Sequence, residues 1–300
     1  MSDTAAGSTA RGMTLMVLAM LAIPVVDGLA KYLSASYSPL FISWARYAAA
    51  TLIVLPAAAA IHGWRLFPER RLGTHVWRTA FLVGAMTLYF LAIARVPLVM
   101  AASAFLIGPV IGVLLSILFL GERMTRRKGA GLALGIVGSL VILHPTGAFD
   151  PGILLAFGAG LLFALYLVAT RLTAQDGDPM KTLALQYVIG TILLTPQAIL
   201  TAKLPATDVL LFLLGLGLFS ALGHFLTIAA FRRAEASTLA PLTYVELIGA
   251  AIVGYVAFAE VPGAATVAGA GLIVISGLVL SAKRRSRRDD AARRNAPGET

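Results

Sequence analysis

The stretch MTLMVLAMLAIPVVDGLAKYL, residues 13–33, decides the fold class of this chain. Asp27 and Lys31 are its only charged residues, and the rest is almost entirely apolar. Apolar sequence of this length is what an α-helix needs to cross roughly 30 Å of hydrocarbon at about 1.5 Å per residue. The whole chain has the same character, since 59% of its 300 residues are hydrophobic and only 13% are charged. The sequence therefore predicts a membrane protein.

Ten apolar segments of this kind follow one another, which predicts an all-α integral membrane protein. Short polar turns such as GERMTRRK and KLPATD separate most of them, and they leave no room for a soluble domain. The segments are continuously apolar, whereas a membrane β-barrel needs alternation with a period of two. A cleavable signal peptide is disfavoured for the first segment, because Pro24 and Asp27 precede any plausible cleavage site. The predicted spans are 13–33, 39–61, 76–95, 98–120, 128–144, 151–171, 180–201, 207–231, 237–259 and 263–281.

The basic residues predict how the helices are oriented. With the amino terminus inside the cell, every Lys and Arg falls on the cytoplasmic side except Lys31, Arg46, Arg95 and Lys203. The positive-inside rule then predicts cytoplasmic termini and a location in the inner (plasma) membrane. The net charge of +10 arises from these loops and from the basic tail, so it does not indicate a nucleic-acid partner.

The two halves of the chain resemble each other. At an offset of 140, Pro39 falls on Pro179, Tyr47 on Tyr187, Thr51 on Thr191 and Pro56 on Pro196. At an offset of 138, Gly121-Glu122 falls on Ala259-Glu260. Because five helices per half is an odd number, the second copy must enter the membrane inverted, as in many secondary transporters. The predicted organisation is a cytoplasmic tail 1–12, a first repeat 13–144, a second repeat 151–281 and a basic cytoplasmic tail 282–300.

Three stretches carry a resemblance to a known family. They are AKYL with SPLFISWARYAAATL within residues 30–52, the stretch from Pro109 to Arg123 that ends in GER, and APLTYVELIGAAIVGYVAFAEVP at 240–262. In this combination the chain resembles the drug/metabolite transporter superfamily, specifically its EamA-type members, over nearly all of 13–281. The resemblance implies ten helices in two inverted repeats around a central cavity, and transport of small metabolites without ATP. It leaves the substrate open, because members are thought to carry amino acids, vitamins, nucleotide-like metabolites and drugs.

Three charged residues lie in the outer part of the first two predicted helices. A charge in the middle of a span costs about 2.5–3.5 kcal/mol on insertion scales and is rarely kept without a partner. Asp27 and Arg46 are predicted at matching depths, about 9–10 Å from the outer boundary, and Lys31 shares a helical face with Asp27. One hypothesis is a cluster of these three residues that binds or gates an ionised substrate. The alternative is a structural pair of Asp27 with Arg46, while Lys31 extends to the interface.

Glu246 is predicted near the membrane midplane, about nine residues into the ninth span. We expect it to face the cavity and either to bind a cationic group or to carry a coupling proton. The alternative is a buried neutral glutamate that donates a hydrogen bond to a neighbouring helix. Further candidates for the substrate pathway are Trp44, Tyr89, Tyr166, Gln186, His224 and Tyr244, of which Gln186 is the strongest as the repeat mate of Arg46. Candidate hinge or gate residues are Gly108, Pro109, Pro241, Glu122 and Glu260.

These features together predict a transporter. The sequence contains no Walker loop, nucleophile elbow or metal-ligand cluster, so neither an enzyme nor a cofactor is predicted. We expect a secondary active carrier of small polar metabolites such as amino acids, working by alternating access with coupling to protons. The alternatives are an uptake carrier for a vitamin or a nucleotide-like metabolite, and a passive facilitator or channel. The predicted partners are a small-molecule substrate, protons and the lipid bilayer; the sequence does not fix the direction of transport or the oligomeric state.

Overall fold

The protein is helical throughout the part that the structure describes. The computed structural model describes residues 2–108, 110–112, 114–115, 124–143, 150–173, 178–201, 203–231, 233 and 239–281. In these ranges there is no β-strand, and two 3-10 helices cover Thr207–Val209 and Ala240–Tyr244. The α-helices are α1 Ser2–Leu33, α2 Pro39–His62, α3 Leu72–Ile93, α4 Leu98–Phe105, α5 Arg126–Leu143, α6 Pro151–Thr173, α7 Pro179–Thr201, α8 Leu210–Phe231, α9 Val245–Phe258 and α10 Ala264–Ser281.

Five of the described helical segments are long and apolar enough to cross a membrane. They are Ala10–Leu33, Pro39–His62, Leu72–Ile93, Pro179–Thr201 and Thr207–Thr227. The remaining helices include shorter apolar segments of 10–17 residues. The prediction of an all-α membrane protein is confirmed. Helices α1 and α3 begin earlier than the predicted spans, because hydropathy finds the apolar part of a helix while its hydrogen bonds continue into the polar flank.

Equivalent helices of the two halves begin in the same way. Helix α2 starts with Pro39, and the side chain of Ser38 accepts a hydrogen bond from the Leu40 N–H at 3.3 Å. Helix α7 starts with Pro179, and Asp178 Oδ1 accepts one from the Met180 N–H at 2.8 Å. Proline fits the first helical position because its missing N–H has no partner there, and a short polar side chain before it satisfies a free donor. The same local chemistry therefore fixes the start of both helices.

The helix packing is also symmetric between the halves. Helix α1 packs on α8 and α9, as α6 packs on α3 and α4, while α2 packs on α7 and α5 on α10. Exchanging each helix for its counterpart in the other half, α1 for α6 and so on, leaves this pattern unchanged. Residues aligned by the sequence repeat meet where α2 crosses α7. The rings of Tyr47 and Tyr187 lie 5.7 Å apart, and the hydroxyl oxygens of Thr51 and Thr191 are 3.0 Å apart. The two halves are thus related by an approximate two-fold axis that passes between α2 and α7.

The fourth helix of each half is interrupted at an equivalent place. Helix α4 ends at Phe105, two turn residues follow, and helical geometry resumes at Gly108. In the second half, the 3-10 helix Ala240–Tyr244 precedes α9. An offset of 138 aligns Tyr244, its last residue, with Leu106, the first of the two turn residues in the first half. Leu239 is α-helical before this segment, and helix α9 begins at Val245, within the predicted span 237–259, because Pro241 lies in the tighter 3-10 turn and supplies no N–H. Pro109 and Glu122 lie outside the described residues.

The interruption in the first half is packed tightly against α6. A Cβ atom added to Gly108 would lie 2.7 Å from the carbonyl oxygen of Gly160, and one added to Gly160 would lie 2.6 Å from that of Phe105. No real Cβ contact is that short, so both positions require glycine. The close approach seats the interrupted segment on α6, and the offset of 138 aligns Gly108 in this segment with Glu246 of the second half.

Candidate functional site

Arg46 is held inside the helix bundle by α8. Its side chain is buried, its Nε donates a hydrogen bond to Ser220 Oγ at 2.7 Å, and its Nη2 lies 3.2 Å from His224 Nε2. Because a guanidinium only donates, His224 Nε2 is the acceptor in this contact. The hydroxyl of Tyr187 lies 3.1 Å from Ser220 Oγ. The guanidinium also faces the rings of Tyr47 and Phe90 at 5.7 and 5.6 Å. Two acceptors and two aromatic faces therefore fix Arg46.

A second arginine, Arg78 of α3, is buried with α7. Only 4% of Arg78 and 3% of Gln186 is exposed, and Arg78 Nη2 donates a hydrogen bond to Gln186 Oε1 at 3.0 Å. The guanidinium lies 5.4 Å from the ring centroid of Tyr166 on α6. Arg78 Nε and Gln186 Nε2 have no hydrogen-bond partner among the described residues. Arg78 and Gln186 therefore each have a buried N–H group that lacks a hydrogen-bond acceptor among the described residues.

Two carboxyl groups share this interior. Asp27 of α1 and Glu246 of α9 are 4% and 6% exposed, and they are the buried acids of the described part of the chain. The hydroxyl of Tyr89 donates a long hydrogen bond to Asp27 Oδ2 at 3.4 Å. The helices that carry these two acids, α1 and α9, pack together. Yet among described residues neither acid lies within 4.0 Å of an arginine nitrogen. The predicted ion pair of Asp27 with Arg46 is not formed.

Lys31 binds elsewhere, at the face where α1 ends. Its Nζ lies 2.6 Å from Glu260 Oε1 and donates a hydrogen bond to the Val96 carbonyl at 2.8 Å. Glu260 Oε2 in turn accepts a hydrogen bond from the Leu98 N–H at 2.8 Å. We call these four residues, Lys31, Val96, Leu98 and Glu260, the Lys31–Glu260 clamp. It joins the end of α1 to the α3–α4 and α9–α10 connections, so Lys31 does not complete a cluster with Asp27 and Arg46.

The sequence profile of the EamA-like transporter family matches residues 10–144 and 150–282. The chain belongs to this family. A solved crystal structure shares its fold, with a TM-score of 0.64 and 19% identity over 91% of this chain and 96% of that one.

Curated relatives of this EamA-like protein carry the names of transporters, not of enzymes. It is 25% identical to an S-adenosylmethionine uptake transporter of Rickettsia felis over 264 residues, 88% of this chain and 90% of the relative. It is 26% identical to a riboflavin transporter of Vibrio cholerae over 276 residues, 89% and 91% of the two chains. It is 29% identical to a pseudopaline exporter of Pseudomonas aeruginosa over 281 residues, 90% and 95%. The protein is thus a multi-pass membrane transporter of small metabolites.

The structure of this EamA-like transporter brings together most, but not all, of the residues that the sequence marks for the pathway. Asp27, Arg46, Tyr89, Tyr166, Gln186, His224 and Glu246 share the interior described above. Trp44 instead donates a hydrogen bond to Thr195 Oγ1 at 3.2 Å, next to the ring of Phe41. Tyr244 packs against Gly277 of α10. These last two contacts are to neighbouring helices rather than to the charged groups.

Arg78 is the residue that the sequence reasoning missed. It was counted with the cytoplasmic basic residues because it lies only three residues into the predicted span 76–95. Helix α3 begins at Leu72, so Arg78 is about 9 Å along the helix at about 1.5 Å per residue. A signal was present, since the neighbouring basic residues Arg65, Arg70 and Arg71 lie in a polar loop, whereas the apolar stretch AFLVGAM begins two residues after Arg78.

Proposed function

We propose that this protein is a secondary active carrier for small polar metabolites that bear both an anionic and a cationic group, such as amino acids and related compounds. The observation that carries the proposal is that two buried carboxyl groups and two buried guanidinium groups lie in the same helix bundle. Among described residues, no carboxylate oxygen of the two acids lies within 4.0 Å of a nitrogen of the two arginines. Charges buried without an opposite charge in contact are costly, and a substrate of mixed charge would supply the missing opposite charges. S-adenosylmethionine, for which one relative is named, is such a compound.

Alternating access would open the binding interior to each side of the membrane in turn. The symmetric packing of the two halves supports this mechanism, because inverted repeats can exchange conformations around a central site. The Lys31–Glu260 clamp would hold the bundle closed at the face where α1 ends, which the positive-inside rule makes the outer face. Both termini would then be cytoplasmic.

Proton coupling would use the two buried acids. A carboxyl group can give up its proton when a cationic group arrives, and Asp27 and Glu246 are positioned to do so on two helices that pack together, α1 and α9. Glu246 lies in the first turn of α9.

Counterflow in proteoliposomes tests the proposal. Liposomes loaded with unlabelled amino acids or S-adenosylmethionine are diluted into labelled compound, with and without an imposed pH gradient. We expect saturable uptake that trans-substrate accelerates and that the gradient changes. Asp27→Asn and Glu246→Gln should each lower the rate at least about tenfold, whereas Asp208→Asn, at an exposed acid, should leave it unchanged. Flux without saturation or trans-acceleration would instead establish a channel, and a full gradient response in both variants would refute the proton role of these acids.

A flat aromatic cargo is the second candidate. Four rings form a continuous series from Tyr89 through Phe105 and Phe163 to Tyr166, with successive centroids 5.0, 4.9 and 5.5 Å apart. Aromatic faces of this kind stack on planar ligands, and one relative is named as a riboflavin transporter. Labelled riboflavin in the same counterflow assay distinguishes the two candidates: saturable riboflavin exchange with no exchange of amino acids would favour the second.

A further inference from the structure

We infer that Arg78 and Gln186 form a docking site for the carboxylate of the transported molecule. The inference rests on the proposed function, because it names the group by which a substrate of mixed charge would be held. The site lies between α3 and α7 and is separate from Arg46, which has its own partners on α8.

The number of free donors is the first argument. Arginine has five N–H groups and no acceptor, and a glutamine amide has two N–H groups and one oxygen. The single hydrogen bond between the two side chains uses the Gln186 oxygen, which leaves Arg78 Nε and Gln186 Nε2 buried without a partner among described residues. Rotating the amide by 180° would only place its N–H groups against the guanidinium, donor against donor. The pair therefore requires an acceptor from outside.

The surroundings favour a carboxylate in that role. No acidic side chain of a described residue lies within 4.0 Å of Arg78. The Tyr166 ring, 5.4 Å from the guanidinium, restricts its orientation, and the planar fork of a guanidinium matches two carboxylate oxygens.

Arg46 shows why the two arginines have different roles. Ser220 and His224 already accept from its guanidinium, and those acceptors come from the protein itself. Among the described residues, the Gln186 oxygen is the one hydrogen-bond acceptor of Arg78. An incoming carboxylate would thus satisfy Arg78 without breaking protein contacts, whereas at Arg46 it would have to displace them.

Matched pairs of acid and amide test the inference. The probes are labelled amino acids, methionine first, each compared with its primary amide, which has the same shape but no carboxylate charge. In counterflow, we expect the wild-type protein to prefer the acid over the amide by at least about tenfold in rate at low concentration. Arg78→Gln should reduce that preference to about equality.

Gln186→Glu separates docking from a structural role. The substitution keeps the size of the side chain and places a carboxylate 3.0 Å from Arg78, where it would occupy the guanidinium permanently. Docking predicts that affinity for the acid falls at least about tenfold while transport of the amide is retained. A purely structural role predicts an unchanged acid preference, because the new ion pair would only strengthen the contact of α3 with α7. Arg95→Gln, at an exposed arginine just beyond α3, is the matched control.

The outcomes separate this inference from the proposed function. If the wild-type protein exchanges amino acids but does not prefer acids over amides, the docking site is wrong and the proposed function stands. The same conclusion follows if Gln186→Glu, eluting as a monodisperse peak in gel filtration, keeps the wild-type preference. If the wild-type protein exchanges neither the acids nor the amides, the proposed function fails, and the docking site fails with it.

Discussion

Neutralising Glu260 should open the protein at the face where α1 ends. In Glu260→Gln the amide oxygen can still accept the Leu98 N–H, which Glu260 Oε2 accepts at 2.8 Å. The 2.6 Å ion pair with Lys31 is lost, and within the described part of the chain Lys31 keeps the Val96 carbonyl and the ring of Phe258 at 5.6 Å. The substitution therefore removes one charged interaction and preserves the shape of the clamp.

The expected magnitude follows from the exposure of the pair. A hydrogen bond between charged groups is worth about 1.5–3 kcal/mol when buried, and exposed ion pairs are worth about 0–1 kcal/mol. Both side chains of the clamp are 16% exposed, which is closer to the buried case. We therefore take about 1.5 kcal/mol, and about 1.4 kcal/mol corresponds to tenfold in an equilibrium constant. If the bond exists only in the closed form, the open fraction should rise about tenfold.

A single introduced thiol can measure this change, because the chain contains no cysteine. Leu98 belongs to the clamp through its backbone N–H, and its side chain is fully buried, so Leu98→Cys should react with a membrane-impermeant reagent only when the clamp opens. In the Leu98→Cys background, adding Glu260→Gln should raise the labelling rate about tenfold. Asp208→Asn, which replaces an exposed acid by its amide, is the control and should not change the rate.

The double variant gives the decisive comparison. Lys31→Met should raise the labelling rate as much as Glu260→Gln does, and combining them should add little, because both remove the same interaction. Equal labelling rates in Glu260→Gln and in the control would show that the ion pair does not hold this face closed. Additive effects of the two substitutions would show that each residue acts through some other contact.

Two further predictions concern stability, read as the thermal midpoint in detergent. Ser220→Ala leaves Arg46 Nε and the Tyr187 hydroxyl without the hydroxyl that both contact, so it should lower the free energy of unfolding by about 2–4 kcal/mol. An unchanged thermal midpoint would contradict a stabilising role for these two hydrogen bonds. Gly269→Ala places a Cβ 2.7 Å from a carbonyl oxygen of α5 and should destabilise the protein by about 1–3 kcal/mol. Gly271→Ala on the same helix, where an added Cβ meets no atom within 4 Å, is the control and should be neutral or stabilising. Equal thermal midpoints for the two variants would refute the close packing of α5 on α10.

The sequence predicted the helices and the repeat well, because both depend on local features. Apolar length locates a helix regardless of what it packs against, and the offset of 140 aligned Tyr47 with Tyr187, which meet in the structure. The partners of long side chains could not be predicted in this way. Lys31 shares a helical face with Asp27, but its flexible stem reaches Glu260, which comes near only after the whole bundle has formed.

Helix boundaries account for much of the remaining difference. An error of a few residues is common at helix ends, and here it changed the interpretation of two residues. Arg78 was assigned to the cytoplasmic side because α3 was expected to start at 76 instead of Leu72. Glu246 was placed in the middle of a continuous helix, whereas the 3-10 segment before Val245 puts it in the first turn of α9. Hydropathy is unaffected by a 3-10 turn inside an apolar segment, so it could not reveal that interruption.

The symmetry of the scaffold and the asymmetry of its charges suggest a division of roles. Residues on the approximate two-fold axis are the same in both halves, as Thr51 and Thr191 show. The buried charges are not, because the repeat aligns Asp27 with Leu167, Arg46 with Gln186 and Glu246 with Gly108. Under the proposed alternating access, equivalent packing would allow each half to adopt the conformation of the other. The buried acids come from α1 and α9 and the buried arginines from α2 and α3, so a substrate with both charges would bind in a single orientation throughout the proposed cycle.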